Sequence, residues 1–501
     1  MSVPASPSAH ALVTDLCGLA ARLTEGTPLR GEVSAIQHRL AGPLRVAIAG
    51  RVKAGKSTLL NALVGDRLAA TDAGECTRLV TIYREGLGYE VRAHLRDGRA
   101  EPLAFRREGA LQIELGRLTV GEIDRLEVGW PSSALRAMTL IDTPGLASIQ
   151  DENSARTQAF LALGENRSSE ADAVIYLMRH LHRSDAEFLD AFLDRSVGHV
   201  SPVNTVAVLS RADEIGAARL DAMTSAARIA ERYRRDEELR TLCATVVPLA
   251  GLLAETGATL RESEFAALRR LAELPATDRE RLLLSADRFA EHEIAAVASQ
   301  ERRGLLARLG VFGVRLAITE IAAGRVRTAP DLAALLLRSS GIDALRRILH
   351  HHFLPRARVL QARAGVTALR TLARSLSAAN PEAGARLAAE VERVEVAAHE
   401  FAELRLAHLV MTESVRLTDE EQEEVRRLTA PGASPAERLG LGPDAPLRAV
   451  EAAALAAIER WRTRAEDPLG DPLLAEAAAI AARSYEGIYL AVREALRARP
   501  D

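Results

Sequence analysis

Gly50-Arg51-Val52-Lys53-Ala54-Gly55-Lys56-Ser57 sets glycines at its first and sixth positions ahead of Lys and Ser. That spacing is the P-loop pattern, in which backbone N–H groups and a helix N-terminus wrap phosphate oxygens. In such a loop Lys56 reaches the β- and γ-phosphates and the Ser57 hydroxyl binds Mg2+. Gly50, Val52, Lys53, Ala54, Gly55 and Thr58 complete the expected phosphate cradle. Asp142-Thr143-Pro144-Gly145 ends the apolar run Met138–Ile141. A carboxylate at a strand's end can hold Mg2+ through water, and the Gly145 N–H can sense a γ-phosphate. Thr77 is the expected switch threonine, giving the metal a hydroxyl when its loop closes, with Thr71 and Thr81 competing for that role.

Ser210-Arg211-Ala212-Asp213 follows the apolar run Val206–Leu209. GTPases carry Asn/Thr-Lys-x-Asp at this point, and the Asp accepts hydrogen bonds from guanine N1 and N2 that adenine cannot supply. The Lys of that pattern is Arg211 here, whose stem can still lie over a base. A helix N-cap at Asp213-Glu214 is the plain alternative. Pro248–Gly251 is a weaker candidate for a loop backing the base. Small GTPases orient water with a Gln after the glycine of the Asp142–Gly145 loop, but this chain has Leu146. Lys53, at the fourth P-loop position, is therefore a candidate for neutralising charge during phosphoryl transfer. Of 65 Lys and Arg residues only Lys53 and Lys56 are lysines. A GC-rich coding bias replacing Lys by Arg would leave lysines scattered, so Lys53 reads as a position needing a compact ammonium. The alternative is a solvated loop residue adding general positive potential.

These motifs need strands and helices behind them. Arg45–Ala49 reads as a short strand entering the loop and Ser57–Val64 as the helix leaving it. Alternation from Tyr89 to Leu95 leads to Asp97-Gly98, a hairpin signal. Leu126–Val128, Met138–Ile141, Val174–Met178, Val206–Leu209 and Val246–Leu249 are further apolar strands with helical stretches between several of them. The expected fold is an α/β P-loop domain, a mostly parallel sheet with helices on both faces, joined to an all-α neck and stalk bundle. N-terminal neck helices over residues 1–44, broken near Gly26–Pro28, precede the nucleotide domain at 45–255. Helical neck and stalk follow at 256–501, with breaks at Pro275, Gly324–Pro330, Asn380-Pro381, Pro431–Pro446 and Pro468–Pro472.

A chain of 501 residues with 48% hydrophobic and 3% aromatic content can bury large helical cores. Its net charge of −3 offers no basic excess for nucleic acid, which counts against a nucleic-acid-bound GTPase. Three scattered cysteines, Cys17, Cys76 and Cys243, read as reduced thiols in cytoplasm. Met1–His10 has neither the basic nor the apolar region of a secretory signal. The most apolar stretch, Leu305–Ala323, is interrupted by Arg308, Arg315 and Glu320, so a spanning helix is not expected.

The run from Gly50 to Leu63, Thr77-Arg78, Asp142–Gly145 and the variant Ser210–Asp213 together resemble bacterial dynamin-like GTPases, in particular the actinobacterial isoniazid-inducible group. Ser210–Gly216, Val247–Leu253, Gly310–Gly313, Ser340–Leu345 and Asp467–Pro472 extend the resemblance over nearly the whole chain. It implies a GTPase head, a neck that includes the N-terminal helix, and a helical stalk. It also implies GTP and GDP as ligands, Mg2+ as cofactor, and head-to-head homodimerisation or a heteromer with a sister dynamin-like protein. Membrane remodelling from the cytoplasm, peripherally at the inner face of the plasma membrane, is implied as well. The alternative is a GTP-gated scaffold or partner subunit without membrane-deforming activity of its own.

Ala344–Pro381 carries seven arginines, three histidines and no acid, so it could face anionic lipid. Pairing with the six glutamates of Glu382–Glu403 in a bundle is the favoured reading. Relatives that reshape membranes have an apolar stalk tip, whereas Ser375–Gly384 has one leucine and no aromatic. His350-His351-His352 cannot converge on one ion from a helix. Cys76 beside the switch reads as packing before a redox handle.

Overall fold

The computed structural model describes residues 8–69, 79–108, 110–144, 170–179, 202–293, 296–467 and 470–498. Its strands are β1 Leu44–Gly50, β2 Val80–Glu85, β3 Glu90–Leu95, β4 Ala100–Pro102, β5 Ala104–Glu108, β6 Ala110–Glu114, β7 Ile123–Trp130, β8 Met138–Asp142, β9 Ala173–Met178, β10 Thr205–Ser210 and β11 Val246–Leu249. Nine of them form one sheet in the order β11-β10-β9-β1-β8-β2-β7-β3-β4, while β5 and β6 pair separately. From β11 to β8 all neighbours are parallel. β2 reverses against β8, and β3 against both β7 and β4. Hairpin β3–β4 turns at Asp97-Gly98, where Gly98 takes a left-handed φ of 88°.

β1 lies centrally, and Val46, Ala47, Ile48 and Ala49 have no solvent exposure. Such a run is what a strand covered on both faces requires. One face packs Val46, Ile48 and Leu140 against Leu59 and Leu60 of the helix Lys56–Val64. The other packs Ala47, Ala49 and Ile141 with Ala226 and Ala230 of Ala222–Arg234. At the far edge Gly341, at φ 83°, meets β11: a Cβ there would lie 2.2 Å from the Pro248 carbonyl. Ser340 closes this turn on the head by accepting from the Ala250 N–H at 2.8 Å.

Besides the helical core around Phe265, Leu309 and Leu332, two more helical cores lie outside the sheet. Ala9–Leu23, Arg30–Ala41, Ala357–Ala379 and Pro381–Ala397 share one containing Val13, Cys17, Leu40, Val366, Leu369, Leu372 and Leu387. Gly365 admits the close approach, since its Cβ position lies 3.0 Å from Val13. The face read as either lipid-facing or bundled is thus packed in a bundle, and Arg370 pairs with Glu395 across it. Asn380 caps the returning helix by accepting from the Ala383 N–H at 3.1 Å, with Pro381 in its first turn. His399–Met411, Asp419–Leu428, Leu447–Ala465 and Pro472–Arg497 share a second core around Trp461 and Tyr485. Both rings donate to Glu424 Oε1 at 2.9 Å, which satisfies their polar ends inside the bundle. The N-terminal helices anchor to the sheet through Asp172, which accepts from the Arg45 N–H at 2.9 Å and pairs with Arg39 at 3.6 Å.

Candidate nucleotide site

The site forms at the C-terminal ends of the parallel strands, where open α/β sheets bind ligands. β1 ends at Gly50, where a Cβ would stand 2.4 Å from the Leu177 carbonyl, so the close approach to the parallel neighbour β9 requires glycine. The loop then turns through Lys53, left-handed at φ 63°, to Gly55, at φ 95°, which caps the helix Lys56–Val64. Ala54 is buried under this turn, while Val52 and Lys53 face outward. Lys53 forms no hydrogen bond or ion pair with a described residue, although its left-handed backbone costs a non-glycine residue energy.

Lys56 is buried and donates to the Gly50 and Arg51 carbonyls at 3.2 and 3.4 Å. Burial draws its pKa down, and the charge of Asp142 opposes that. Parallel pairing of β1 and β8 sets Asp142 opposite Ile48, which brings its carboxylate to the start of the helix. Ser57 Oγ donates to Asp142 Oδ2 at 2.8 Å. Asp142 Oδ1 is buried with no partner among the described residues. Burial raises the Asp142 pKa, while Lys56 and the Ser57 bond counter the rise. Thr143 donates to the Ile48 carbonyl at 3.0 Å and pins this loop to β1.

Ser210, Arg211 and Asp213 leave the end of β10. Ser210 Oγ donates to the Met178 carbonyl at 3.2 Å, tying this strand to β9. Arg211 takes φ 51° and pairs with Glu214 at 2.8 Å, leaving its stem partly exposed. Asp213 is buried, and desolvation pushes its pKa up to about 6. The N-cap alternative at Asp213-Glu214 finds no support: Asp213 lies inside the 3-10 turn Ala212–Glu214, and Glu214, which precedes the short helix Ile215–Ala218, makes no side-chain cap bond. Thr77, Thr71, Gly145, Leu146 and Cys76 lie outside the described residues. Thr81, buried on β2, stands directly opposite Asp142 in the antiparallel register. Gly251 lies against Thr58 at the first turn of the P-loop helix.

Two features escaped the sequence reading. The helix Ser299–Ala322 breaks at Gly310, with φ 64° and ψ 178°, a backbone region essentially reserved for glycine. A Cβ at Gly310 would sit 3.4 Å from Asp213 Oδ2, so this break shapes the wall beside that carboxylate. The Gly310-Val-Phe-Gly313 run marks the place, but a glycine in an apolar helical pattern does not reveal what it faces. The second is Asn61, whose Oδ1 accepts from the Leu68 and Ala69 N–H groups at 2.9 and 2.7 Å and so fixes the chain leaving the P-loop helix.

A family model of the dynamin family matches residues 46–210. Isoniazid-induced protein IniC of Mycobacterium tuberculosis (strain CDC 1551 / Oshkosh) is 41% identical over 459 residues, covering 91% of this chain and 92% of that protein. The chain belongs to the dynamin family. It is therefore a nucleotide-binding GTPase, with a head built on the sheet and helical bundles beneath it. Isoniazid-induced protein IniA of the same organism is 30% identical over 167 residues, 31% of this dynamin-family chain and 24% of that protein. A bacterial dynamin-like protein of Nostoc punctiforme is 28% identical over 150 residues, 28% of this chain and 20% of that protein. Among the described residues of this GTPase no helix is long and apolar enough to cross a membrane.

Proposed function

We propose that this dynamin-family GTPase hydrolyses GTP with Mg2+ at the Gly50–Thr58 loop, fires on head-to-head pairing, and acts peripherally at the inner face of the cytoplasmic membrane. The observation that carries the chemistry is the Lys56–Ser57–Asp142 cluster with its unpartnered Asp142 Oδ1. A buried carboxylate oxygen without a donor, next to a hydroxyl, fits a hard cation and its waters. Ser57, Asp142 and Thr77 would hold the metal, which when bound neutralises charge on the β- and γ-phosphates. The backbone of Gly50, Val52, Lys53, Ala54 and Gly55, with Thr58, would wrap the phosphates. Lys56 would exchange its two carbonyl acceptors for phosphate oxygens, and Gly145 would report the γ-phosphate. Asp213 would read guanine, with Ser210 holding its strand and the Arg211 stem covering the base.

Lys53 is the candidate cation for the transition state. Its ammonium is exposed on a strained turn, where a second head could press it inward. An added positive charge at that point is worth ~10³–10⁵ in rate. Lys53→Ala should bind GTP nearly normally yet lose most of the turnover that rises with protein concentration, and potassium should not restore it. Unchanged turnover of the variant at high concentration would sink the role. A wild-type specific rate independent of concentration would remove head pairing itself.

A second reading has its own observation. The turn at the end of the first bundle exposes Ala378, Ala379, Asn380, Pro381 and Glu382, with no large apolar side chain. That surface suits a GTP-gated partner subunit of a sister dynamin-like protein better than a membrane-inserting tip. Co-sedimentation with anionic liposomes decides: pelleting with GTP supports the peripheral membrane role, and a protein that stays in solution supports the partner subunit.

A further inference from the structure

Behind the P-loop helix, away from the nucleotide cleft, lies a pocket of about 270 Å³ lined by Asp66, Arg67, Arg107, Thr259, Arg261 and Arg308. Four arginines from four separate segments converge there, with Thr259 beside Arg261 in the chain. Arg67 follows the P-loop helix, Arg107 lies on β5, and Arg308 lies on the helix Ser299–Ala322. Arg261 precedes the helix Glu262–Ala272, and Thr259 ends Gly251–Thr259.

The local acids leave this cluster with charge and donors to spare. Among the described residues the Arg67 guanidinium uses only Nε, on Glu255 at 2.9 Å. Arg107 uses Nη2, on Asp66 at 2.7 Å, and its guanidinium lies over the Trp130 ring at 5.2 Å. Arg308 gives Nε to Glu264 at 2.9 Å and Nη2 to Thr259, leaving Nη1 without a described partner. Arg261 makes no ion pair with a described residue. Among the described residues three carboxylates thus face four guanidiniums, and several N–H groups have no acceptor there.

We infer that this pocket is a second anion site, taking a compact phosphate-bearing group such as a diphosphate or a phosphorylated headgroup. Planar guanidinium forks match phosphate oxygens two at a time, which is why converging arginines favour phosphate over a single carboxylate. Prior pairing of Arg67 to the buried Glu255 and of Arg308 to the half-buried Glu264 holds both forks in place, so little side-chain freedom is lost on binding. The pocket's size is at the small end for a ligand site, which selects a headgroup and excludes a whole nucleotide.

The test titrates pyrophosphate calorimetrically into the full chain saturated with Mg-GDP, so that the P-loop is already filled. One equivalent should bind. Arg261→Glu and Arg107→Ala should each weaken it about tenfold or more, the loss of one charge-assisted contact, while leaving GDP affinity unchanged. Competition with phosphatidylglycerol vesicles separates the sources. Displacement of pyrophosphate by vesicles assigns a lipid headgroup, and its persistence assigns a soluble phosphorylated ligand. Absence of binding once GDP is saturating, or an unchanged dissociation constant in both variants, overturns the site.

Discussion

The proposed phosphate end and base end of the nucleotide cleft both bury a carboxylate, but they keep it by different means. At the phosphate end Asp142 sits with a lysine ammonium and a serine hydroxyl, so opposite charge and a hydrogen bond oppose its desolvation, which still raises its pKa. At the base end desolvation of Asp213 dominates; its own backbone N–H and the more distant Arg211 lower the pKa only in part, and it remains at about 6. The first carboxylate has a cation and a hydroxyl donor nearby before any ligand arrives, while its Oδ1 still lacks a described partner. The second would gain its main compensation from the base it is proposed to read. A phosphate pocket must stay formed against strong like charges, whereas a base reader discriminates best when its own unmet need is large.

Removing the compensation at the phosphate end should have the largest effect. Lys56→Ala removes the ammonium proposed to reach the phosphates and the positive charge that opposes the burial of Asp142. Nucleotide binding should disappear and the melting temperature fall, read by calorimetry with and without GDP. A variant that keeps GTP affinity would show that the two ends are not held differently.

The next effect sharpens the phosphate end by locating its switch. Thr77→Ala should keep GDP affinity but cut turnover by ~10²–10³, the loss of a group that acts as charge develops. Thr81 already stands across from Asp142 inside the sheet. If Thr81→Ala, and not Thr77→Ala, stops turnover without loss of GDP affinity, the threonine on β2 holds that role.

At the base end Asp213→Asn should weaken GTP by about a hundredfold, since two hydrogen bonds to a charged acceptor are altered. Xanthine nucleotide should become the better ligand, because its base offers an acceptor where guanine offers an amine. Equal hydrolysis of ATP and GTP by the wild type would remove the base-reading role altogether.

How much of this was legible differs between the two kinds of structure. The P-loop, the strand ends carrying Asp142 and Asp213, and the Asp97-Gly98 hairpin follow local rules, in which spacing and glycine placement fix backbone shape. The helical half follows a weaker rule. An amphipathic helix announces that one face is buried, not against what. Nothing local separates the helices around Val13 and Leu369 from those around Trp461 and Tyr485, although they form two cores. Gly310 is the sharpest case: an apolar helical pattern runs through Ser299–Ala322, and only the packed head shows the backbone breaking beside Asp213. Of four arginines in the rear pocket, the sequence placed none near another, because they come from separate segments.

The smallest expected effect is the most specific to the contrast between the two ends. With its pKa near 6, Asp213 is largely ionised at pH 7 and largely protonated at pH 5. A protonated carboxyl cannot accept from both guanine N1 and N2. GTP affinity should therefore fall by up to about tenfold per pH unit below 6, until the lower pKa of the complex is reached. Stability of the nucleotide-free protein should move the other way. A carboxyl whose folded pKa lies above its unfolded value binds more protons when folded between those two pH values. Its contribution to stability therefore grows as pH falls from 6 toward 4, by at most about 3 kcal/mol. Asp213→Asn has nothing to titrate there, so the ratio of wild-type to variant affinity isolates this group from Asp142, which both proteins share. Affinity ratios measured from pH 7 to 5 should converge as the wild type loses its charge. A ratio that stays constant across that range would mean that Asp213 is not the ionised reader of guanine, and the base end would then need another acceptor.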